Sequence, residues 1–305
     1  MKEANNSSPI ESTIDFTRGK LQAGQWQPQC IAHRGFKALY AENTIAAFSG
    51  AVEGGANAIE MDVQVTRDEQ IVMSHDGNLL RCYGEDKVIQ DIDWAEVKQA
   101  RTLAPPYERM PLLAEVLELC VTKEAWKRLW LVIDVKASND LSVIQLLAKT
   151  LAQVHNTGWE KRLIVGIWHP KFLPLCRQYL SSISLAFIGA SLLWAKEFME
   201  EEQVGTINLF FPAVLSREGQ ELVQQVHARN KTFTTWTLNN TKWLEWAVRY
   251  GVDGIITDDP REFKALGDVA TLDFKELGWW DWLDMRREYL VKLCYIYWFF
   301  WKKVW

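Results

Sequence analysis

Leu129-Trp130-Leu131-Val132-Ile133-Asp134-Val135-Lys136 is an apolar run that breaks, at its end, into two charges spaced two apart. A strand hydrophobic along nearly its whole length must be covered on both faces, the condition of a parallel sheet wrapped in helices. The two-residue strand period puts Asp134 and Lys136 on one side of it. Comparable runs recur at 30–32, 58–63, 163–167, 184–188, 207–211, 233–236 and 254–256, and helical patterns fall between them at 43–53, 113–121, 140–155, 217–228 and 244–249. Eight strands with helical crossovers in roughly 230 residues predict the α/β class and a (β/α)8 TIM barrel. A doubly wound open sheet is the alternative, because periodicity alone does not close a sheet. A further short strand at 70–74 follows the second one after the charged turn Arg67-Asp68-Glu69, and reads as an excursion at the barrel mouth.

Composition narrows the classes. With 48% hydrophobic and 24% charged residues in 305, the chain can bury a full core. A net charge of −5 argues against a nucleic-acid binder relying on bulk positive charge. The cysteines at 30, 82, 120, 176 and 294 are scattered, odd in number and without zinc-ligand spacing, as for reduced thiols in an intracellular compartment. Residues 1–28 form a polar extension with no signal-peptide core, 29–268 the barrel domain, and 269–305 a tail of different character. Six of the 16 tryptophans lie in the last 27 residues. In the last 20 residues Arg286, Arg287, Lys292, Lys302 and Lys303 stand against Glu288. The apolar run 289–301, interrupted by Lys292, is too short to cross a bilayer, whose core needs about 20 residues of helix. Basic groups beside an aromatic stretch suit the headgroup boundary, so the tail predicts a membrane surface as partner. The expected location is intracellular, on a cytosolic-type face of the endoplasmic reticulum, lipid droplets or mitochondria. No protein partner follows from the sequence.

In a parallel barrel the reactive groups sit at the C-terminal strand ends. The first strand ends in His33-Arg34-Gly35, the second carries Glu60 and Asp62, the added strand ends in His75-Asp76, and the third holds Asp134 and Lys136. Three carboxylates supply a hard divalent cation such as Mg²⁺ or Ca²⁺. A carboxylate following an apolar strand is costly to bury without a compensating cation. Arg34 and Lys136 suit phosphate oxygens, and His33 and His75 suit proton transfer. His169, at the end of the fourth strand, is a weaker pocket candidate, and His155 and His227 read as surface residues on helices.

His33-Arg34-Gly35-Phe36 with Glu42-Asn43-Thr44, then Ala58-Ile59-Glu60-Met61-Asp62-Val63, then His75-Asp76, resembles the glycerophosphodiester phosphodiesterases. Trp236 and the ending Asp253-Gly254-Ile255-Ile256-Thr257-Asp258-Asp259-Pro260 are similar to that family's closing motifs. Within the family, His-Arg-Gly-Phe-Lys-Ala, the Asp at 134 and the apolar tail look closest to the fungal phosphatidylglycerol phospholipase C branch. The resemblance implies a TIM barrel, His33 and His75 as acid and base, Glu60, Asp62 and Asp134 as ligands of one Mg²⁺ or Ca²⁺, and Arg34 and Lys136 near the phosphate. It implies a phospholipid substrate, phosphatidylglycerol, cleaved to diacylglycerol and glycerol phosphate; soluble glycerophosphodiesters or lysophospholipids are the alternative. Phe36, where many members have a second Gly, and Trp236 are candidate substrate contacts; Asp258 reads equally as a site contact or a helix cap.

Overall fold

The computed structural model describes residues 14–22, 25–154 and 158–265. The chain enters through an antiparallel hairpin of β1 (Lys20–Gln22) and β2 (Gln25–Gln27). Eight parallel strands then close on themselves: β3 (Gln29–His33), β4 (Ala58–Val65), β6 (Trp130–Val135), β7 (Leu163–Ile167), β8 (Ser184–Gly189), β9 (Val204–Phe210), β10 (Thr232–Trp236) and β11 (Gly254–Thr257). Closure comes from β11, which pairs back onto β3 with Ile255 opposite Cys30 and Ile256 opposite Ile31. The short β5 (Ile71–Met73) runs antiparallel to the upper end of β4. The architecture is therefore the TIM barrel, with the excursion after its second strand.

The helices are α1 (Ile45–Glu53), α2 (Leu80–Tyr83), α3 (Trp94–Val97), α4 (Leu113–Thr122), α5 (Ser142–Gln153), α6 (Leu173–Tyr179), α7 (Leu192–Met199), α8 (Phe211–Val214), α9 (Arg217–His227), α10 (Thr241–Arg249) and α11 (Pro260–Ala265). Strand residues alternate between two cores. Ile59, Met61, Leu131, Ile133, Val165, Ile207 and Leu209 face outward into the layer shared with Phe48, Leu113, Leu147 and Val226 of the helices. Ile31, Ala58, Trp130, Val132, Ile164, Ala186, Ile188 and Ile256 fill the barrel itself. Two residues further along the same inward rows stand His33, Glu60, Asp134 and Asp258, so the alternation that fills the barrel also lifts the polar groups to its mouth. Truncating a side chain such as Leu113 or Leu147 to Ala in the outer layer costs about 2–5 kcal/mol.

Where structure and pattern differ, local chemistry explains it. Asn43 is not helical: it adopts φ 57° and turns its side chain into the site, leaving Thr44 to cap α1 by accepting from the Ala47 N–H. β9 begins three residues before the apolar signal, because Gly205 and Thr206 carry none. α6 and α7 are too short for a clear helical period. Residues 14–27 are not a passive extension. The Phe16 ring packs against Trp130 at the barrel base, and Trp26 Nε1 donates to the Val252 carbonyl. His227 is no free surface residue either, since its Nε2 lies 2.8 Å from the fully buried Asp253 carboxylate. No helix among the described residues is long and apolar enough to cross a membrane. His155 and the tail from 269 lie outside the described residues.

Candidate active site

The loop leaving β3 makes two left-handed turns, at Arg34 (φ 56°) and Gly35 (φ 83°). A side chain on Gly35 would collide with the Ala47 backbone at 2.7 Å, so glycine is required there. The turn aims the Arg34 N–H at Glu60 Oε2 (2.9 Å), while its guanidinium reaches Glu42 Oε1 (2.9 Å) and Asp62 Oδ2 (3.3 Å). On β4 and β6, Asp62 and Asp134 stand opposite one another in the parallel register. Ligand atoms of Glu60, Asp62 and Asp134 all lie within 4.8 Å of one another, and all three residues are buried.

Charge decides how this cluster survives. Burial and the neighbouring Asp62 and Asp134 push Glu60 well above the usual carboxylate range. Burial, reinforced by Asp62, also raises Asp134, despite Lys136. Asp62 goes the other way: burial works against it, but Lys136 and Arg34 hold it well below the ordinary value. Lys136 Nζ lies 2.6 Å from Asp62 Oδ1 and is also paired with Asp134. Asn43 completes the shell, donating to Asp62 Oδ2 (2.9 Å) and accepting from the Asp62 N–H (3.1 Å). Three crowded oxygen donors, two of them driven toward protonation, fit a hard divalent cation.

His33 and His75 reach the mouth from different strand ends, each with its own carboxylate. His33 Nδ1 lies 2.6 Å from Asp258 Oδ1, and Asp258 is fixed by the Asn239 amide at 2.7 Å. Burial pulls His33 down to about 4, the Asp258 bond opposing, so it is neutral at pH 7. Its carboxylate partner is held at about 2, His33 and Lys37 outweighing burial. His75 Nδ1 lies 2.8 Å from Asp76 Oδ1, and the preceding Ser74 N–H is tied to the Asp62 carbonyl.

The two proposed contacts fare differently. Phe36 is 2% exposed, packed edge-on against Tyr40 with the Arg261 guanidinium over its ring. The turn at Gly35 drives it into the core beneath α1, so it is not a substrate contact. Trp236 forms an aromatic wall with Trp168 and Phe210, at centroid distances of 5.5 and 5.0 Å, and its Nε1 is buried without a partner. His169 takes a structural part: its Nδ1 accepts from the Lys171 N–H and its ring meets Trp194. Among residues not anticipated, Trp168 Nε1 donates to Asp134 Oδ1 (2.7 Å) and its ring lies 5.3 Å from Lys136 Nζ. Its signal was position, two residues beyond Gly166 on the inward row of β7. Arg81 was not anticipated at all, and it binds both Asp76 and Glu42.

A TIM barrel with an acidic triad, two carboxylate-paired histidines and two cations at its mouth is equipped for the chemistry of a phosphoric diester hydrolase. Residues 33–262 match the glycerophosphoryl diester phosphodiesterase family, and the chain belongs to it. A Bacillus altitudinis glycerophosphodiester phosphodiesterase is 29% identical over 239 residues, covering 75% of this chain and 94% of the relative. The human lysophospholipase D GDPD1 is 26% identical over 281 residues, covering 77% and 84%. The Thermotoga maritima glycerophosphodiester phosphodiesterase structure superposes with a TM-score of 0.64 at 24% identity, over 79% of this chain and 98% of that one. An Oleispira antarctica phosphodiesterase, solved with the product sn-glycerol-3-phosphate, gives 0.66 at 20% identity, over 78% and 96%. None of these four is a phosphatidylglycerol phospholipase C, so they lend no weight to the fungal branch.

Proposed function

We propose that the protein hydrolyses glycerophosphodiesters, lysophospholipids included, with one Mg²⁺ or Ca²⁺ held by Glu60, Asp62 and Asp134. The observation that carries this is the convergence of the triad, Arg34, Lys136 and two carboxylate-paired histidines at one barrel mouth. When bound, the cation polarises a phosphoryl oxygen and offsets developing charge. Arg34 and Lys136 hold the non-bridging oxygens and stabilise the extra charge of the transition state. One histidine accepts the proton of the glycerol 2-hydroxyl as its oxygen bonds phosphorus, and the other protonates the departing alkoxide. The cyclic phosphate so formed is opened by water with the two histidines in exchanged roles. Attack from within the substrate benefits from high effective molarity.

The chemistry requires a free hydroxyl beside the phosphate ester on the same glycerol. Glycerophosphodiesters and 1-acyl lysophospholipids carry it on the glycerol backbone. Phosphatidylglycerol carries it only on its headgroup, and the names of the relatives favour the first two. The decisive experiment offers glycerophosphocholine, lysophosphatidylcholine and phosphatidylglycerol vesicles to the full chain with Mg²⁺ or Ca²⁺, and resolves products by mass. Release of choline from the first two supports the reading; turnover of phosphatidylglycerol alone overturns it. The tail 277–305 is proposed as the membrane contact on composition alone. Its removal is expected to abolish vesicle pelleting while sparing glycerophosphocholine turnover; undiminished pelleting sinks the idea.

A further inference from the structure

Arg81 stands apart from the reacting groups, on α2 of the excursion, yet it grips the partners of two of them. Its Nε donates to Asp76 Oδ2 at 2.6 Å, and its terminal nitrogens donate to Glu42 Oε2 and Oε1 at 2.9 and 2.6 Å. Asp76 presents its other oxygen to His75, and Glu42 Oε1 also accepts from Arg34. A half-exposed arginine usually contributes little through a single ion pair. Here a planar fork spans two carboxylates, one of them buried, in the geometry that makes arginine pairs strong and directional. Against burial, Arg81 together with Arg34 holds Glu42 at about 2, and His75 together with Arg81 holds Asp76 below the usual carboxylate range.

The place of Arg81 is set by the excursion, not by the barrel strands. Leu79 and Tyr83, on either side of it, are buried with Val72, Ile89, Val97, Ala100 and Met110 in a core separate from the two barrel cores. The Leu79 N–H bonds the Lys87 carbonyl just before the helix, Gly84 (φ 74°) ends it, and the Leu103 N–H bonds the Cys82 carbonyl, so the short turn is braced at both ends.

We propose that Arg81 is a positioning residue that holds His75 and Arg34 in a fixed relation, so that the seating of the excursion on the barrel determines whether proton transfer and phosphate binding address the same diester. This rests on the roles given above to His75 and Arg34. Lysine keeps the charge but cannot bridge both carboxylates.

The test uses the full chain with metal and glycerophosphocholine, measuring kcat, KM and melting temperature. The variants are Arg81→Met, Arg81→Lys, Asp76→Asn, Glu42→Gln and their combinations. Arg81→Met is expected to lower kcat/KM roughly 10²-fold, the upper size for loss of a supporting side chain. Asp76→Asn should reproduce the kcat part and Glu42→Gln the KM part. Added to the Asp76→Asn/Glu42→Gln double variant, Arg81→Met should cost no more than about threefold, because its partners are already gone. Arg81→Lys should recover only a minor part. The same penalty in both backgrounds would overturn the inference, as would normal kcat and KM in Arg81→Met, or a lower melting temperature with unchanged kcat and KM. An inactive wild type would overturn the functional reading and this inference together; an active one with indifferent Arg81 variants overturns the inference alone.

Discussion

Replacing Lys136 by Met keeps much of the stem and removes the ammonium that neutralises the triad from within. Lys136 touches Asp62 and Asp134, whose side chains are 0% and 4% exposed, leaving Arg34 as the only other cation in contact with the triad among the described residues. Removing one partner of a buried pair costs about 3–5 kcal/mol, a large share of the ~5–15 kcal/mol that holds a domain together. The pH dependence has a definite sign. In the wild type, the depressed Asp62 contributes stability above about pH 4 that is lost as pH falls through its folded pKa. Glu60 and Asp134 are raised, so they cost stability at neutral pH, and that cost shrinks on acidification. Without Lys136, Asp62 loses the chief cause of its depression. The deficit of Lys136→Met should therefore be greatest at pH 7–8 and narrow toward pH 4, and Mg²⁺ or Ca²⁺ should narrow it by supplying positive charge. Urea unfolding in chelator at several pH values, repeated with metal, measures both. A deficit under ~0.5 kcal/mol at pH 7 in chelator, the size of an ordinary surface change, or one that grows on acidification, would refute the reasoning.

His33→Ala and His75→Ala should each lower turnover by about 10²–10⁴-fold, the usual worth of a general acid or base, with melting temperature little changed. Asp258→Asn removes the group that opposes burial at His33, so an NMR titration should place that imidazole below about 4, and kcat should fall by roughly 10–100-fold. In the wild type the same neutral His33 costs stability as pH falls from about 6.5 toward 4, since the unfolded chain takes up its proton first. Phe36→Ala should cost about 3–5 kcal/mol of stability as a core truncation and leave KM for glycerophosphocholine unchanged. A raised KM at normal stability would return Phe36 to the mouth.

The barrel was legible because its strands are apolar on both faces, and the run into Asp134 and Lys136 carried fold and site in one segment. The triad and both histidines could be read because they interrupt such runs at a fixed two-residue step. Supporting groups could not. Asn43 looked like a helix start, and only its left-handed backbone shows that it serves Asp62. Asp258 was balanced between a cap and a site contact, and the ring of His33, 225 positions away in the chain, decides it. Arg81 is a lone charge in a four-residue helix too short to show a period, and its partners Asp76 and Glu42 lie outside that helix. Phe36 misled because hydrophobicity next to a catalytic motif does not report direction; the turn at Gly35 sets that.

The seam of the barrel joins the beginning of the chain to its far end, Gln29 lying opposite Gly254 and Ala32 opposite Thr257. During synthesis the first strand has one neighbour and an open flank until Thr257 has been made, and so distant a pairing is slow to find. The entry hairpin clasps the same seam from below. Gly19 donates its N–H to Asp253, Trp26 bonds Val252, and Arg18 reaches the Asn230 carbonyl. Shortening the protein to the strands alone, from residue 29, would leave the last-made joint of the cylinder without its fastener, and expose the buried Asp253 carboxylate to competition from water at the point where the two ends of the sheet must meet.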